Sequence, residues 1–111
     1  MDLTAFAIQI FEDNKKKGFW DEKRNVGEML MLVVSELGEA IEARRKGRMC
    51  KEQKSMELFA LNVKDTFEDE IADAIIRLLD MCGGLEIDIH WHVFAKLEYN
   101  KTRERLHGKK Y

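Results

Sequence analysis

The chain has 111 residues, of which 36% are charged and 45% hydrophobic, and its formal net charge is -2. It is too apolar for a disordered chain and too polar for a membrane protein, and it lacks the basic charge typical of proteins that bind a nucleic-acid polymer. One domain spanning residues 1–111 suits this length. Cys50 and Cys82 form no CxxC pattern, and the first residues carry acids early without a long apolar run, so a cytoplasmic protein is expected.

The helical spacing of apolar residues and the absence of proline predict four long helices. They are expected near residues 3–17, 25–46, 66–82 and 88–105. The first stops at Gly18 and is followed by a loop in which Phe19 and Trp20 are expected to be exposed. In the second helix, residues 29–34 are apolar on every face, which indicates a helix that is buried in the centre of the fold or at an oligomer interface.

The second half of the chain begins with a stretch of weaker periodicity. Residues 48–64 are predicted to form a long loop with some local structure. The third helix begins at the N-cap residue Thr66 and is expected to stop at Gly83 and Gly84, and the fourth begins at Asp88. No segment has the pattern of a strand pair, so the predicted fold class is all-α, with four helices in a bundle-like arrangement.

Two pairs of acidic residues interrupt the most apolar parts of these helices. Glu36 and Glu39 are three residues apart on the second helix, and Glu70 and Asp73 repeat this spacing on the third. Residues at this spacing share one face of a helix. Buried carboxylates without counter-charge are unfavourable, and few cations are near in sequence, Arg77 being one turn beyond Asp73. The pattern of these four residues, the acidic quartet, therefore favours bound divalent cations.

The carboxylate ligands limit which metal ion can bind and which substrate it can bind with. Carboxylate oxygens without cysteine or paired histidine select hard ions, so Mg²⁺ is expected, with Mn²⁺ as a substitute. Mg²⁺ seldom occupies an all-protein cage and usually shares its shell with waters and substrate phosphates. The acidic quartet thus predicts a site for a nucleoside triphosphate, in which Mg²⁺ balances both sets of negative charge and activates a water molecule.

A plainer interpretation of the acidic quartet is a pair of solvated helix faces. The chain has 21 acidic residues, and Glu39 and Glu42 form another pair at the same spacing. Spacing alone does not separate this interpretation from a metal site. The apolar residues that flank Glu36 and Asp73 favour the metal site, because they take the carboxylates out of water.

Basic and aromatic residues provide candidates for substrate binding. Lys96, Asn100 and Arg103 fall at helical spacing on the fourth helix, where they are candidates for binding phosphates or sugar. A solvated, charged helix end is the alternative. Trp20 is a candidate for stacking on a nucleobase, and the alternative is packing at the open end of the bundle.

Three blocks of the sequence together resemble a known family. Segments 35–42 (SELGEAIE) and 68–77 (EDEIADAIIR) carry ExxE and ExxD motifs at the acidic quartet, and segment 96–109 carries a basic block. These blocks resemble the MazG-like all-α nucleoside triphosphate pyrophosphohydrolases, over about residues 19–111. The resemblance implies a homodimer or homotetramer. It also implies Mg²⁺-dependent hydrolysis between the α- and β-phosphates, giving monophosphate and pyrophosphate, with a housecleaning role against unwanted dNTPs or non-standard nucleotides.

The resemblance also implies that Lys96, Asn100 and Arg103 help to hold the substrate. The chain departs from the family in one respect, since 30 residues separate Glu39 from Glu70, more than is usual there. The base and sugar preference stays open. Two other functions also stay open: a helical oligomer that binds nucleotide or protein without turnover, and an enzyme of the phosphoribosyl-ATP pyrophosphatase type.

Overall fold

The computed structural model describes residues 2–51 and 55–109, apart from the side chain of His107. Within these residues the chain forms five α-helices and no strands, so the predicted all-α class is confirmed. The helices are α1 (Leu3–Lys16), α2 (Val26–Arg45), α3 (Phe59–Asn62), α4 (Phe67–Gly84) and α5 (Ile89–Lys101), followed by a 3-10 turn at Arg105–Gly108. Among the helices described, none is both long enough and apolar enough to cross a membrane.

Side-chain caps begin three of the long helices where the sequence predicts them. Asn25, Thr66 and Asp88 each accept a hydrogen bond from the backbone N–H three residues further on, at 2.9, 3.3 and 3.2 Å. Each cap satisfies a backbone donor that has no partner within the first turn of a helix. The short helix α3 lies in the stretch that was predicted to be a loop with local structure.

Two helix ends differ from the prediction. The last helix ends at Lys101 rather than near residue 105, because the hydroxyl of Thr102 donates to the carbonyl of Tyr99 at 2.7 Å and the chain then turns. In contrast, α4 continues through Gly83 to Gly84 instead of stopping before them. Gly84 is the last residue of the helix, and both glycines lie where a β-carbon would overlap a neighbouring part of the fold.

Helices α4 and α1 approach closely because Gly83 has no side chain. α4 lies between α1 and α2, and Ala7 of α1 is buried together with Leu79 and Cys82 of α4. A β-carbon at Gly83 would stand 2.5 Å from the carbonyl oxygen of Ala7 and 2.7 Å from the β-carbon of Phe11. Any larger residue at this position would have to push the two helices apart.

We expect Gly83→Ala to destabilise the fold by about 1–3 kcal/mol, because the added methyl group overlaps backbone atoms that cannot easily move. Gly38→Ala is the matched control, since a methyl group there meets nothing within 4 Å. In the interior of α2 it should raise the free energy of unfolding by about 0.5–1 kcal/mol. Chemical denaturation of both variants checks this, and equal effects would contradict the close α1–α4 packing.

The apolar run of α2 is only partly buried within one chain. Met29 and Val33 are buried, whereas Met31 and Val34 are 62% and 53% exposed. The prediction that the run is buried in the centre of a single chain is therefore wrong for the face that carries Met31 and Val34. An oligomer interface, the other possibility that the sequence left open, stays a prediction.

Helix α5 adds little to the core of its own chain. None of its residues is buried, and its main contact in the described structure is with α1. The accessible surface is 8858 Å², compared with roughly 6,300 Å² for a monomer of this mass. The radius of gyration is 16.7 Å, compared with about 13 Å for a domain of this length. A single chain thus leaves far more surface in solvent than a monomer of its size normally does.

Candidate metal centre

Three residues of the acidic quartet meet where α2 packs on α4. Glu36 comes from α2 and Glu70 and Asp73 come from α4, and one carboxylate oxygen of each lies within 4.8 Å of the other two. Glu70 and Asp73 face α2 together because residues three apart lie on one side of a helix. The structure therefore unites three of the four predicted ligands, which we call the acidic triad.

The fourth acid lies beside the acidic triad. Glu39 is exposed, and with Glu70, Ser35 and Arg48 it lines a hollow of about 420 Å³. Its carboxylate is close enough to Glu70 to affect the pKa of that residue. Glu39 is thus at the solvent side of the triad rather than within it.

The acidic triad has too little counter-charge in the protein. Glu36 and Glu70 are 8% and 6% exposed, and the Oε2 atom of each is buried without a hydrogen-bond partner in the described structure. Arg77 Nε donates to Glu36 Oε1 at 3.0 Å, which supplies one positive charge. Buried carboxylate oxygens normally have partners. Two such oxygens at one helix junction, besides the clustering itself, make this junction a candidate cation site.

Burial and neighbouring acids raise the pKa of two triad residues. The pKa of Glu70 is raised from 4.5 to about 7, first by burial and then by the carboxyl groups of Glu39 and Glu36, which can accept a hydrogen bond from its protonated form. Burial also raises the pKa of Asp73, with further contributions from the charges of Asp69 and Glu36. Carboxyl groups in this state lose their protons when a cation binds.

We expect the metal-free protein to lose stability as the pH rises from 4.5 to about 7, the interval over which the pKa of Glu70 is shifted. In this interval the folded state binds more protons than the unfolded chain, so raising the pH favours unfolding. Glu70→Gln should remove most of this dependence and raise the free energy of unfolding at pH 8 by about 1–3 kcal/mol. Thermal unfolding in EDTA and in Mg²⁺ checks this, with Mg²⁺ raising Tm more at pH 8 than at pH 5. A wild-type Tm in EDTA that does not change over this interval would contradict the expectation.

The acidic triad offers a ligand set that suits Mg²⁺ or Mn²⁺. Its side chains supply carboxylate oxygens, and neither histidine nor cysteine belongs to the group as the described residues form it. Hard oxygen donors favour these ions over zinc or copper. The residues present therefore fit the predicted cofactor, with Glu36, Glu70 and Asp73 as the side chains that would hold it.

A polar hollow of about 260 Å³ opens beside the acidic triad. Glu36 and Asp73 line it together with Arg77, Arg24 and Asp80. Asp80 is buried and accepts a hydrogen bond from Arg24 at 3.2 Å. Two guanidinium groups thus lie next to the acids, in positions to attract phosphate oxygens.

Trp20, the predicted base platform, is held within the fold. Its indole N–H donates to Asp80 Oδ1 at 3.0 Å, its ring lies edge-on to Phe11 at 5.1 Å between centroids, and the guanidinium of Arg24 lies 5.0 Å from the ring centroid. The expectation that Trp20 is exposed is therefore wrong, whereas Phe19 is exposed and lines the polar hollow. These contacts favour the packing alternative, and stacking of a base on Trp20 stays a prediction.

Two neighbours of the site, Asp80 and Arg24, were not found by sequence reasoning. Asp80 is seven residues after Asp73, which places it two turns further along the same face of α4, so its spacing was an available signal. Arg24 precedes α2 in the loop. Nothing periodic in the sequence places a loop residue beside a particular helix.

The three predicted phosphate or sugar ligands lie apart from the acidic triad in this chain. Lys96 and Asn100 are on α5 and Arg103 follows it, and none of them lines the hollows beside the triad. Lys96 and Arg103 each contact the ring of Tyr99, and the buried Oδ1 of Asn100 has no hydrogen-bond partner in the described structure. One chain therefore does not unite these residues with the acids.

Comparison with known proteins gives no match to this chain among family models, curated proteins or solved structures. The geometry of the acidic triad and the residues of the chain itself therefore carry the functional argument.

Proposed function

We propose that this chain is a Mg²⁺-dependent nucleoside triphosphate pyrophosphohydrolase of the MazG-like kind. The observation that carries the proposal is the acidic triad, in which two buried carboxylate oxygens have no partner in the described structure. Guanidinium groups in the adjoining polar hollow add an attraction for phosphates. The carboxylates need a metal cation, and the neighbouring guanidinium groups attract phosphate. Together these two features favour a ligand made of a metal ion and a triphosphate. The resemblance of the sequence supports the same activity.

Each acid has a stated role in this proposal. Glu36, Glu70 and Asp73 would hold Mg²⁺, with Glu39 at the solvent side of the site. Bound Mg²⁺ would lower the pKa of a water molecule and stabilise negative charge on the phosphates. Arg77, fixed by its hydrogen bond to Glu36, would orient phosphate oxygens. Hydrolysis of the bond between the α- and β-phosphates consumes one water molecule and releases a nucleoside monophosphate and pyrophosphate.

The same proposal includes assembly into a homodimer or homotetramer. The accessible surface of 8858 Å² exceeds that of a monomer of this mass by about 2,500 Å². Two chains that each covered this excess would bury about 5,000 Å² in total, which is within the range of obligate homodimers. In such an assembly, α5 of a second copy and the turn that follows it would supply Lys96, Asn100 and Arg103 to the acids.

Product identification tests the activity. The full chain is incubated with each dNTP and Mg²⁺, and the products are separated by chromatography. We expect equal amounts of monophosphate and pyrophosphate, and neither product in EDTA. Release of orthophosphate with diphosphate as the first product would overturn the proposal.

Two further arms of this experiment address the alternatives. Phosphoribosyl-ATP is added as a substrate, and strong preference for it would favour an enzyme of the phosphoribosyl-ATP pyrophosphatase type. Calorimetry with the same dNTPs measures binding, and tight binding without product would favour a nucleotide-binding oligomer without turnover. Preference for dNTPs or non-standard nucleotides would support a housecleaning role in the cytoplasm, which is the biological role we propose.

A further inference from the structure

The connection between α2 and α4 is longer than usual in the resembled family, and its residues 59–65 form one wall of a groove beside the acidic triad. The groove has a volume of about 770 Å³, and α4 forms its other wall. Its apolar lining residues are Phe59 and Val63 from the connection and Ala72 and Ile76 from α4. Asp73 also lines the groove, so the groove begins at the triad.

Hydrogen bonds tie this connection to the start of α4. The backbone N–H of Phe67 donates to the carbonyl of Arg48 at 2.8 Å. The backbone N–H of Cys50 donates to the carboxylate of Glu68 at 3.0 Å. The two walls of the groove are therefore held together by the fold itself, which preforms the space between them.

Charge distinguishes this groove from the polar hollow that also meets Asp73. The charged residues that line the groove are Asp65, Glu68, Asp69, Asp73 and Lys64. Four carboxylates and one ammonium group line this groove, whereas the polar hollow sets the guanidinium groups of Arg24 and Arg77 against three carboxylates, so the hollow repels a triphosphate less than the groove does. The phosphates of a ligand on the triad are thus directed toward the polar hollow, and its uncharged part toward the groove.

The sizes of the two cavities also favour phosphates in the polar hollow and the base in the groove. The groove of about 770 Å³ falls within the range of roughly 300–1,000 Å³ that is typical of small-molecule sites, and the polar hollow of about 260 Å³ falls below it. Phe59 is 38% exposed, so its ring is accessible from the groove. An aromatic ring of this kind is a suitable surface for stacking a nucleobase.

We propose that the groove binds the base and sugar of the nucleotide substrate, with the triphosphate extending across Asp73 toward Arg77 and Arg24. This inference rests on the proposed function and makes it more specific, because it assigns base selection to the connection between α2 and α4. The apolar lining predicts selection by ring size and stacking rather than by hydrogen bonds to the base edge. Larger bases should therefore be preferred.

A matched pair of variants on α3 tests the groove. Phe59 lines it, whereas Leu61, on the same short helix, is 80% exposed and does not. We measure binding of α,β-methylene analogues of the four dNTPs, with Mg²⁺, by calorimetry on the full chain. Phe59→Ala should weaken binding about tenfold through loss of stacking, and Leu61→Ala should leave it unchanged. Inorganic tripolyphosphate, which has no base, should bind both variants as it binds the wild type.

A second variant, Ala72→Trp, tests the groove even if Phe59→Ala fails to fold. Ala72 is an exposed residue of α4 that lines the groove, so Ala72→Trp should fill the groove and abolish nucleotide binding while leaving tripolyphosphate binding intact. Equal nucleotide affinity in Phe59→Ala and Leu61→Ala would overturn the proposal. A changed oligomer mass in sedimentation, with unchanged nucleotide affinity, would also overturn it and assign the groove to contact between copies. Failure of the proposed function is distinct, because the wild type would then release no pyrophosphate from any dNTP.

Discussion

Asp73→Asn is expected to lower kcat for the proposed pyrophosphate release by about 10²–10³-fold, because it removes one of the charges that would hold the metal against the phosphates. The amide has nearly the same shape as the carboxylate, and Asp73 lies among acids that already repel it. The Tm measured in EDTA should therefore be unchanged or higher than that of the wild type. Wild-type kcat in this variant would contradict the assignment of Asp73.

A matched pair of variants on α2 tests the role of Glu39, the acid at the solvent side of the triad. Glu39 and Glu42 are both exposed and line the same hollow, but Glu39 is close enough to Glu70 to affect its pKa, whereas Glu42 pairs with Arg45 at 3.8 Å. Glu39→Gln should lower kcat/KM by about 10–100-fold, as loss of a group next to a metal ligand usually does. Glu42→Gln should leave it unchanged. Equal kcat/KM in the two variants would mean that Glu39 is an ordinary surface residue.

If the chain forms the proposed homo-oligomer, Val34→Glu should dissociate it into single chains of 13.0 kDa. Val34 is 53% exposed on the apolar run of α2, and a charge there would be buried without a partner if a second copy covered that run. Val26→Glu, at the first position of α2, is the control, because an acid in the first turn of a helix is favourable. Sedimentation of both variants gives the masses. A wild-type protein that is already monomeric would rule out the homo-oligomer.

Mixing inactive variants tests whether two copies share one site. Asp73→Asn lacks an acid of the triad, and Arg103→Ala lacks a predicted phosphate ligand on the distant C-terminal segment. If α5 of one copy completes the triad of another, mixed oligomers contain one site with both intact residues, and activity should reappear on mixing. Continued absence of activity in mixtures that exchange subunits would place all the needed residues in one chain.

Local features of the fold could be predicted from the sequence. Capping depends on a few consecutive residues, so Asn25, Thr66 and Asp88 mark helix starts correctly. The convergence of the acids could also be predicted in part, because spacing and apolar flanks place Glu36 and Asp73 on inward faces. The pattern does not show that Glu39, equally well spaced, remains exposed.

Features that depend on long-range packing could not be predicted in this way. A glycine pair is the usual signal for a helix end, but Gly83 is needed inside α4 because α1 passes against it. Phe19 and Trp20 are adjacent aromatic residues, yet the indole N–H of Trp20 donates to Asp80 while Phe19 stays exposed. The resemblance rests on residues along the sequence and gives no distances between them, so it does not indicate that α5 lies apart from the acids of the same chain.

Binding of Mn²⁺, a paramagnetic substitute for Mg²⁺, shows whether the acidic triad holds a metal ion beside a nucleotide. Electron paramagnetic resonance measures free Mn²⁺ in the presence of the full chain and an α,β-methylene dNTP, for the wild type and for Asp73→Asn. We expect the wild type to bind Mn²⁺ together with the nucleotide and Asp73→Asn to lose most of this binding. Equal Mn²⁺ binding by the two proteins, or none by the wild type beyond that of the nucleotide alone, would contradict a metal centre at the acidic triad.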